Sequence, residues 1–153
     1  MRYTKLMITL LGFAATLFAA DPFVGTWKMN PTKTRYKVGT APKEQTLTMT
    51  ETGGDLTVKV VGTAADGKKI ALTYSVPTGG GGGKIVESSS YDGVSGKTIG
   101  PNEREMSYMK AGKPVYTAHS KLSADGNTLT VNTKGVNPVG QTVEAEVVYD
   151  KQK

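Results

Sequence analysis

Short runs of alternating apolar and polar residues, separated by turns, fill the chain from residue 21 onward. In the run 70–76 the residues Ile70, Leu72, Tyr74 and Val76 alternate with small or polar ones, and the run 143–149 repeats this pattern. A period of two gives each run one apolar side and one water-facing side, as in antiparallel strands. No stretch after residue 20 has the sustained period of an amphipathic helix. The sequence therefore predicts an all-β fold.

Turn signals separate these runs. The pairs Asp66-Gly67, Asp92-Gly93 and Asp125-Gly126 favour tight hairpins. Strands are predicted near residues 24–29, 44–51, 56–62, 69–76, 84–89, 103–110, 113–122, 128–134 and 141–150, with a weaker one around 94–99. A meander of eight to ten strands leaves two long edges exposed unless it closes. We therefore predict an antiparallel up-and-down barrel, with a β-sandwich as the alternative.

Two segments are predicted to be loops. Pro31 to Lys43 is bounded by prolines, and Pro77 to Gly83 contains five consecutive glycines. The glycine run differs from a phosphate-binding loop, because Ile85 stands where that loop needs a hydroxyl residue and no helix follows. We expect it to be a flexible strand connector that acts as a mobile flap at a barrel mouth.

Residues 1–20 have the pattern of a signal peptide. Arg2 and Lys5 precede an apolar run over 6–18, and Ala19-Ala20 supply small residues for cleavage after either of them. The run is shorter than the about 20 residues of a membrane-spanning helix. We expect export to the periplasm or beyond, with residues 21–153 forming one domain. The chain has no cysteine, which excludes disulfides and lipid attachment of the bacterial lipoprotein kind.

No catalytic, metal or cofactor site is predicted. His119 is the single histidine, and without cysteine a zinc site is not expected. The carboxylate pairs Glu103/Glu105 and Glu144/Glu146 each lie on one strand face, the second pair facing water, and no nucleophile motif accompanies them. The net charge of +6 comes from lysines scattered beside turns, unlike the clustered basic patches of nucleic-acid-binding proteins. We expect neither an enzyme nor a nucleic-acid partner.

The segment Phe23 to Asn30 contains Gly25-Thr26-Trp27-Lys28. This resembles the opening strand of the calycin group, which comprises lipocalins and fatty-acid-binding proteins, and that of secreted bacterial lipocalin-like proteins. The resemblance implies that Gly25 and Trp27 lie at a closed barrel end, with Lys151 packing over the Trp27 ring. Fatty-acid-binding proteins hold the ligand carboxylate with an Arg-x-Tyr pair on the last strand. This chain departs from them, because Val147 stands in the position of that arginine.

Four tyrosines occupy strand positions whose side chains are expected on the apolar face: Tyr74, Tyr108, Tyr116 and Tyr149. Tyrosine combines a large apolar body with a hydroxyl that seeks a partner when buried. These side chains either fill a solid core or line a lumen that holds a small ligand. The preferred hypothesis is a lipocalin-like protein that binds a small, partly apolar molecule without catalysis. The alternatives are a protein-interaction or inhibitor module with a packed barrel and, third, a hydrolase.

Overall fold

The computed structural model describes residues 19–153, which fold into twelve β-strands without a helix. The strands are β1 (Gly25–Met29), β2 (Arg35–Val38), β3 (Glu44–Thr52), β4 (Asp55–Thr63), β5 (Lys69–Pro77), β6 (Gly81–Gly82), β7 (Lys84–Glu87), β8 (Gly93–Gly100), β9 (Glu103–Lys110), β10 (Lys113–Leu122), β11 (Thr128–Val136) and β12 (Thr142–Lys151). The predicted signal peptide lies outside the described residues, apart from Ala19 and Ala20. Within 19–153 no helix has the length and apolar character that a membrane crossing requires.

The strands form one antiparallel sheet that rolls into a nearly closed barrel. Strands β8 to β12 pair in sequence order, and β1, β3, β4, β5 and β7 continue the sheet on the other side. The two series join where β12 pairs with β1, with Trp27 opposite Lys151. The prediction of an up-and-down barrel is therefore confirmed, and the sandwich alternative is not.

The glycine-rich segment closes the barrel. Strand β6 pairs with β8, whereas β7 pairs with β5 on the opposite side. Gly83 stands between β6 and β7 and donates its N–H to the carbonyl of Val94 at 2.8 Å. A Cβ at Gly83 would collide with the Ser75 carbonyl and the Val76 side chain, so only glycine fits there. The expected flexible flap is thus a hydrogen-bonded seam, and its glycines allow close approach of strands.

The predicted loop 31–43 contains a strand that the sequence analysis missed. Strand β2 pairs with β12, next to the place where β12 pairs with β1. Asn30 redirects the chain between the two strands: its Nδ2 donates to Asp150 Oδ2 at 2.7 Å, and its Oδ1 accepts the Thr32 N–H. Four residues are too few to show a period of two, so this strand depends on its partner β12.

The core lies inside the barrel and is built from alternate residues of nearly every strand. Trp27 and Leu129 are fully buried. The remaining interior consists mainly of Val, Leu, Ile and Met, together with buried tyrosines and the buried hydroxyl residue Thr133. The interior is therefore apolar with a small number of inward-facing hydroxyl groups.

Candidate functional site

One end of the barrel is closed by Trp27. Its Nε1 donates to the Phe23 carbonyl at 2.9 Å, and Lys151 Nζ lies 5.3 Å from its ring centroid. Gly25 has φ of 145°, and a Cβ there would come within 2.9 Å of Lys151 Cε. The structure thus places Gly25, Trp27 and Lys151 next to one another. The Lys151 ammonium is exposed, so its attraction to the ring is worth about 0.5–1 kcal/mol.

The closed end also contains an arginine that the sequence analysis missed. Arg104 shares its strand face with Met106 and Tyr108 and points into the barrel. Its Nη2 donates to Asp21 Oδ2, and its guanidinium carbon lies 4.6 Å from the Phe23 ring centroid. Its Nε is buried and has no hydrogen-bond partner among residues 19–153. Strand alternation could have revealed its direction, because it places Arg104 on the opposite face of β9 from Glu103 and Glu105.

Four tyrosine rings pack against one another inside the barrel. The Tyr108 hydroxyl donates to the Tyr74 hydroxyl at 2.9 Å, and their rings meet edge to face with centroids 5.3 Å apart. Tyr91 lies 5.0 Å from the Tyr108 centroid and stacks on Tyr116 at 5.9 Å. Such tilted and edge-on contacts favour aromatic pairs. We call Tyr74, Tyr91, Tyr108 and Tyr116 the tyrosine cluster.

Three members of the tyrosine cluster, Tyr74, Tyr108 and Tyr116, border the main cavity of the lumen, which has a volume of about 70 Å³. All four predicted tyrosines line it, because Tyr149 of β12 joins Tyr74, Tyr108 and Tyr116. Ser120, Thr133 and Gln45 add polar groups to an otherwise apolar wall. Tyr91 lies in the loop before β8, where no alternation indicates its direction. Its hydroxyl donates to the Val136 carbonyl at 2.6 Å.

A second chamber of about 30 Å³ adjoins the main cavity. Five residues line both spaces: Met49, Val58, Tyr74, Met106 and Ser120. The chamber extends from there to Arg104 and to the seam at Gly80 and Gly96. Both volumes are well below the about 300 Å³ at which ordinary ligand pockets begin. They accommodate water molecules, and a larger guest requires lining side chains to move.

The tyrosine hydroxyls of the lumen are uncharged at neutral pH. Burial raises the pKa of Tyr74 to about 12. Burial also raises the pKa values of Tyr108, Tyr116 and Tyr149 well above the usual range. Arg104 and the exposed Lys97 are the charged side chains among the residues lining the two chambers. The lumen therefore combines neutral hydroxyl groups with a positive charge near one end.

The other candidate groups lie on the outer surface. His119 Nε2 is 2.7 Å from Glu103 Oε1, and both side chains are about one-third exposed. Glu144 pairs with Lys37 at 2.9 Å and with Lys134 at 3.6 Å, which lowers the pKa of its carboxyl. Within the described residues no cluster of three or more His, Cys, Asp or Glu side chains is arranged to hold a metal ion.

The structure is similar to several solved β-barrel structures. Zebrafish ileal bile acid-binding protein complexed with cholic acid has 14% identity and a TM-score of 0.51, over 86% of this chain and 99% of that one. A de novo designed fluorescence-activating β-barrel has 17% identity and a TM-score of 0.47, over 87% and 96%. The protein EF1p2_mFAP2b bound to DFHBI has 13% identity and a TM-score of 0.48, over 88% and 97%.

No protein-family model matches the sequence, and no curated protein is significantly similar to it. At 14% identity, the likeness to the bile acid-binding protein shows the fold alone. It supports the predicted antiparallel barrel, whereas the resemblance to the calycin group and to secreted bacterial lipocalin-like proteins stays a prediction.

Proposed function

We propose that this protein binds a small, partly apolar molecule in the lumen of its barrel and acts as an exported, non-catalytic carrier. The observation that carries the proposal is the cavity beside the tyrosine cluster, where Tyr74, Tyr108, Tyr116 and Tyr149 converge. A binding site of this type combines an apolar wall with a few placed hydrogen-bonding groups. The signal-peptide pattern of residues 1–20 supports export to the periplasm or beyond.

The hydroxyl groups of the lumen favour a guest over a solid core. Tyr149 is only 4% exposed, and its hydroxyl makes no hydrogen bond to another residue of the described chain. This hydroxyl is not among the fully enclosed side-chain atoms that lack a partner, so it borders the space of the cavity rather than packed protein. Tyr149 therefore offers hydrogen-bonding capacity to a molecule that enters the cavity.

A small pocket adjoins the main cavity on the side of Tyr36 and Pro138. This pocket of about 30 Å³ lies between Tyr36, Ala64 and Pro138, and Tyr116 lines both this pocket and the main cavity. Rotation of the Tyr116 ring would connect the two spaces. We infer that the guest enters past Tyr116 and that its apolar part takes up space beside the tyrosine rings.

The alternative of a protein-interaction module has less support. The large hydrophobic side chains exposed on residues 19–153 are Val38, Val86 and Ile99. They belong to three different strands, β2, β7 and β8. Interaction surfaces are typically contiguous apolar patches, so this distribution does not favour a docking face.

Binding of the neutral probe 3-phenylpropanamide, followed by nuclear magnetic resonance, tests the proposal. The substitutions Tyr108→Ala and Tyr116→Ala each remove a ring that contacts the guest. Each variant is therefore expected to bind the probe at least several-fold more weakly than the wild type while remaining folded. Thr117→Ala, on the exposed face of β10, is the matched control and should leave affinity unchanged. No binding to the wild type, or unchanged affinity in both tyrosine variants, would overturn the proposal.

A further inference from the structure

Arg104 lies in an unusual position for a cation, inside the closed end of the barrel. Its side chain is 13% exposed and that of its partner Asp21 is 5% exposed. A guanidinium carries five N–H donors in a planar fork. Asp21 accepts one of these, from Nη2, and the buried Nε has no partner among residues 19–153. The pair therefore leaves the hydrogen-bonding capacity of Arg104 partly unused.

The carboxylate that faces Arg104 comes from the segment before β1 rather than from a strand of the barrel. Asp21 Oδ1 accepts the Phe23 N–H at 2.9 Å, and the Asp21 carbonyl accepts the Val24 N–H at 3.0 Å. The Asp21 N–H donates to Glu51 Oε2 at 3.1 Å on the exposed surface. A short turn, anchored in the core by the buried Phe23, thus delivers a negative charge to the interior of the barrel.

Arg104 also faces the lumen. It lines the 30 Å³ chamber together with Tyr74 and Ser120, and these two residues also line the main cavity. A guest whose apolar part lies beside the tyrosine cluster would direct its other end toward Arg104. A carboxylate accepting from both Nε and Nη2 would form the bidentate pair that arginine favours, which Asp21 does not form.

We propose that Arg104 is an anion-recognition residue of the lumen and that Asp21 is a built-in competitor for it. The guest is then a small amphiphile with one carboxylate or similar oxyanion, which binds by displacing the Asp21 carboxylate. This inference rests on the proposed lumen site. It adds the charge class of the guest and a coupling between binding and the segment 21–24.

The test compares two probes of the same length, 3-phenylpropionate and 3-phenylpropanamide, which differ in the charged group. Asp21→Asn keeps the shape of the side chain and its acceptor for the Phe23 N–H but removes the competing charge. We expect this variant to bind the acid about tenfold more tightly, the scale of one charge-assisted hydrogen bond, and the amide as before. Arg104→Gln should abolish the preference for the acid.

Glu51→Gln is the matched control, because it removes the same charge at the same end of the barrel from a residue that contacts Asp21 but not Arg104. It should not change the ratio of the two affinities. If Arg104→Gln fails to fold, the Asp21→Asn result decides alone.

The outcomes separate this inference from the proposed function. Binding of the amide with no gain for the acid in Asp21→Asn, or an equal gain for both probes, overturns the role of Arg104 and Asp21 and leaves the lumen site standing. Failure of both probes to bind the wild type overturns the lumen site and this inference with it.

Discussion

The hydroxyls of Tyr108 and Tyr149 differ in one respect that mutation can measure. Tyr108 donates to Tyr74, whereas Tyr149 makes no hydrogen bond to another described residue. Tyr108→Phe is therefore expected to lower the free energy of unfolding by about 0.5–1.5 kcal/mol. Tyr149→Phe is expected to leave it unchanged or to raise it. Urea unfolding of the two variants provides the measurement, and an equal loss in both would contradict the assigned geometry.

The buried tyrosines predict a loss of stability in alkali. An unfolded tyrosine releases its proton near pH 10, whereas folded Tyr74 has a pKa of about 12. Between these values the unfolded state binds fewer protons than the folded state, so the free energy of unfolding falls as the pH rises. The contribution is complete below pH 10 and is lost through pH 12. Ultraviolet titration should show these tyrosines ionising late, together with unfolding; ionisation of every tyrosine near pH 10 in the folded protein would contradict it.

Residues in regular alternation could be assigned to the lumen from the sequence, and irregular ones could not. Tyr74 alternates with polar or small neighbours along β5, and Tyr149 has the same parity as Val143, Ala145 and Val147 in β12, so the direction of both followed from parity. Tyr91 lies in a loop, where tertiary packing alone turns it inward. Arg104 lies on the same face of β9 as Tyr108. Its inward direction was nevertheless not predicted, because a charged residue is not expected in a core and its partner Asp21 lies 83 positions away in the sequence.

At the scale of elements, Gly83 is the glycine of the β6–β7 seam where a side chain would have the least room. Gly83→Ala places a methyl group against the Ser75 carbonyl and the Val76 side chain, and overpacking of this kind costs about 1–3 kcal/mol. Gly82→Ala is the matched control, because a Cβ at that position would meet no other atom within 4 Å, and it should change stability by less than about 0.5 kcal/mol. Thermal unfolding distinguishes the two, and equal melting temperatures would show that Gly83 does not hold the seam.

The sequence predicted the long strands well because each is eight to ten residues long and contains a run of alternating residues, as in β9, β10 and β12. It did not predict β2 or β6. Strand β2 has four residues and β6 has two glycines without side chains, so neither can show a hydrophobic pattern. Both are strands because a neighbouring strand, β12 or β8, supplies hydrogen-bonding partners.

For the whole molecule, the size of the lumen limits what it binds. The chambers of about 70 and 30 Å³ are separated by packed side chains that include Met106. A guest larger than a few water molecules must move those side chains, and its binding energy is reduced by that cost. We therefore expect small guests to bind more tightly than large ones. A series of phenyl-substituted acids of increasing length, measured by calorimetry, should lose affinity beyond the shortest members; a steady gain with length would contradict a small lumen.

Native mass spectrometry of the protein purified from an exporting host, before and after incubation with excess 3-phenylpropionate, tests the central claim most directly. If the barrel is a carrier, the folded protein retains a small organic molecule or takes up the probe, and denaturation releases it. The Tyr116→Ala variant should retain less of either. If only the mass of the unliganded protein is observed, both before and after incubation with the probe, that result would contradict a ligand-binding lumen.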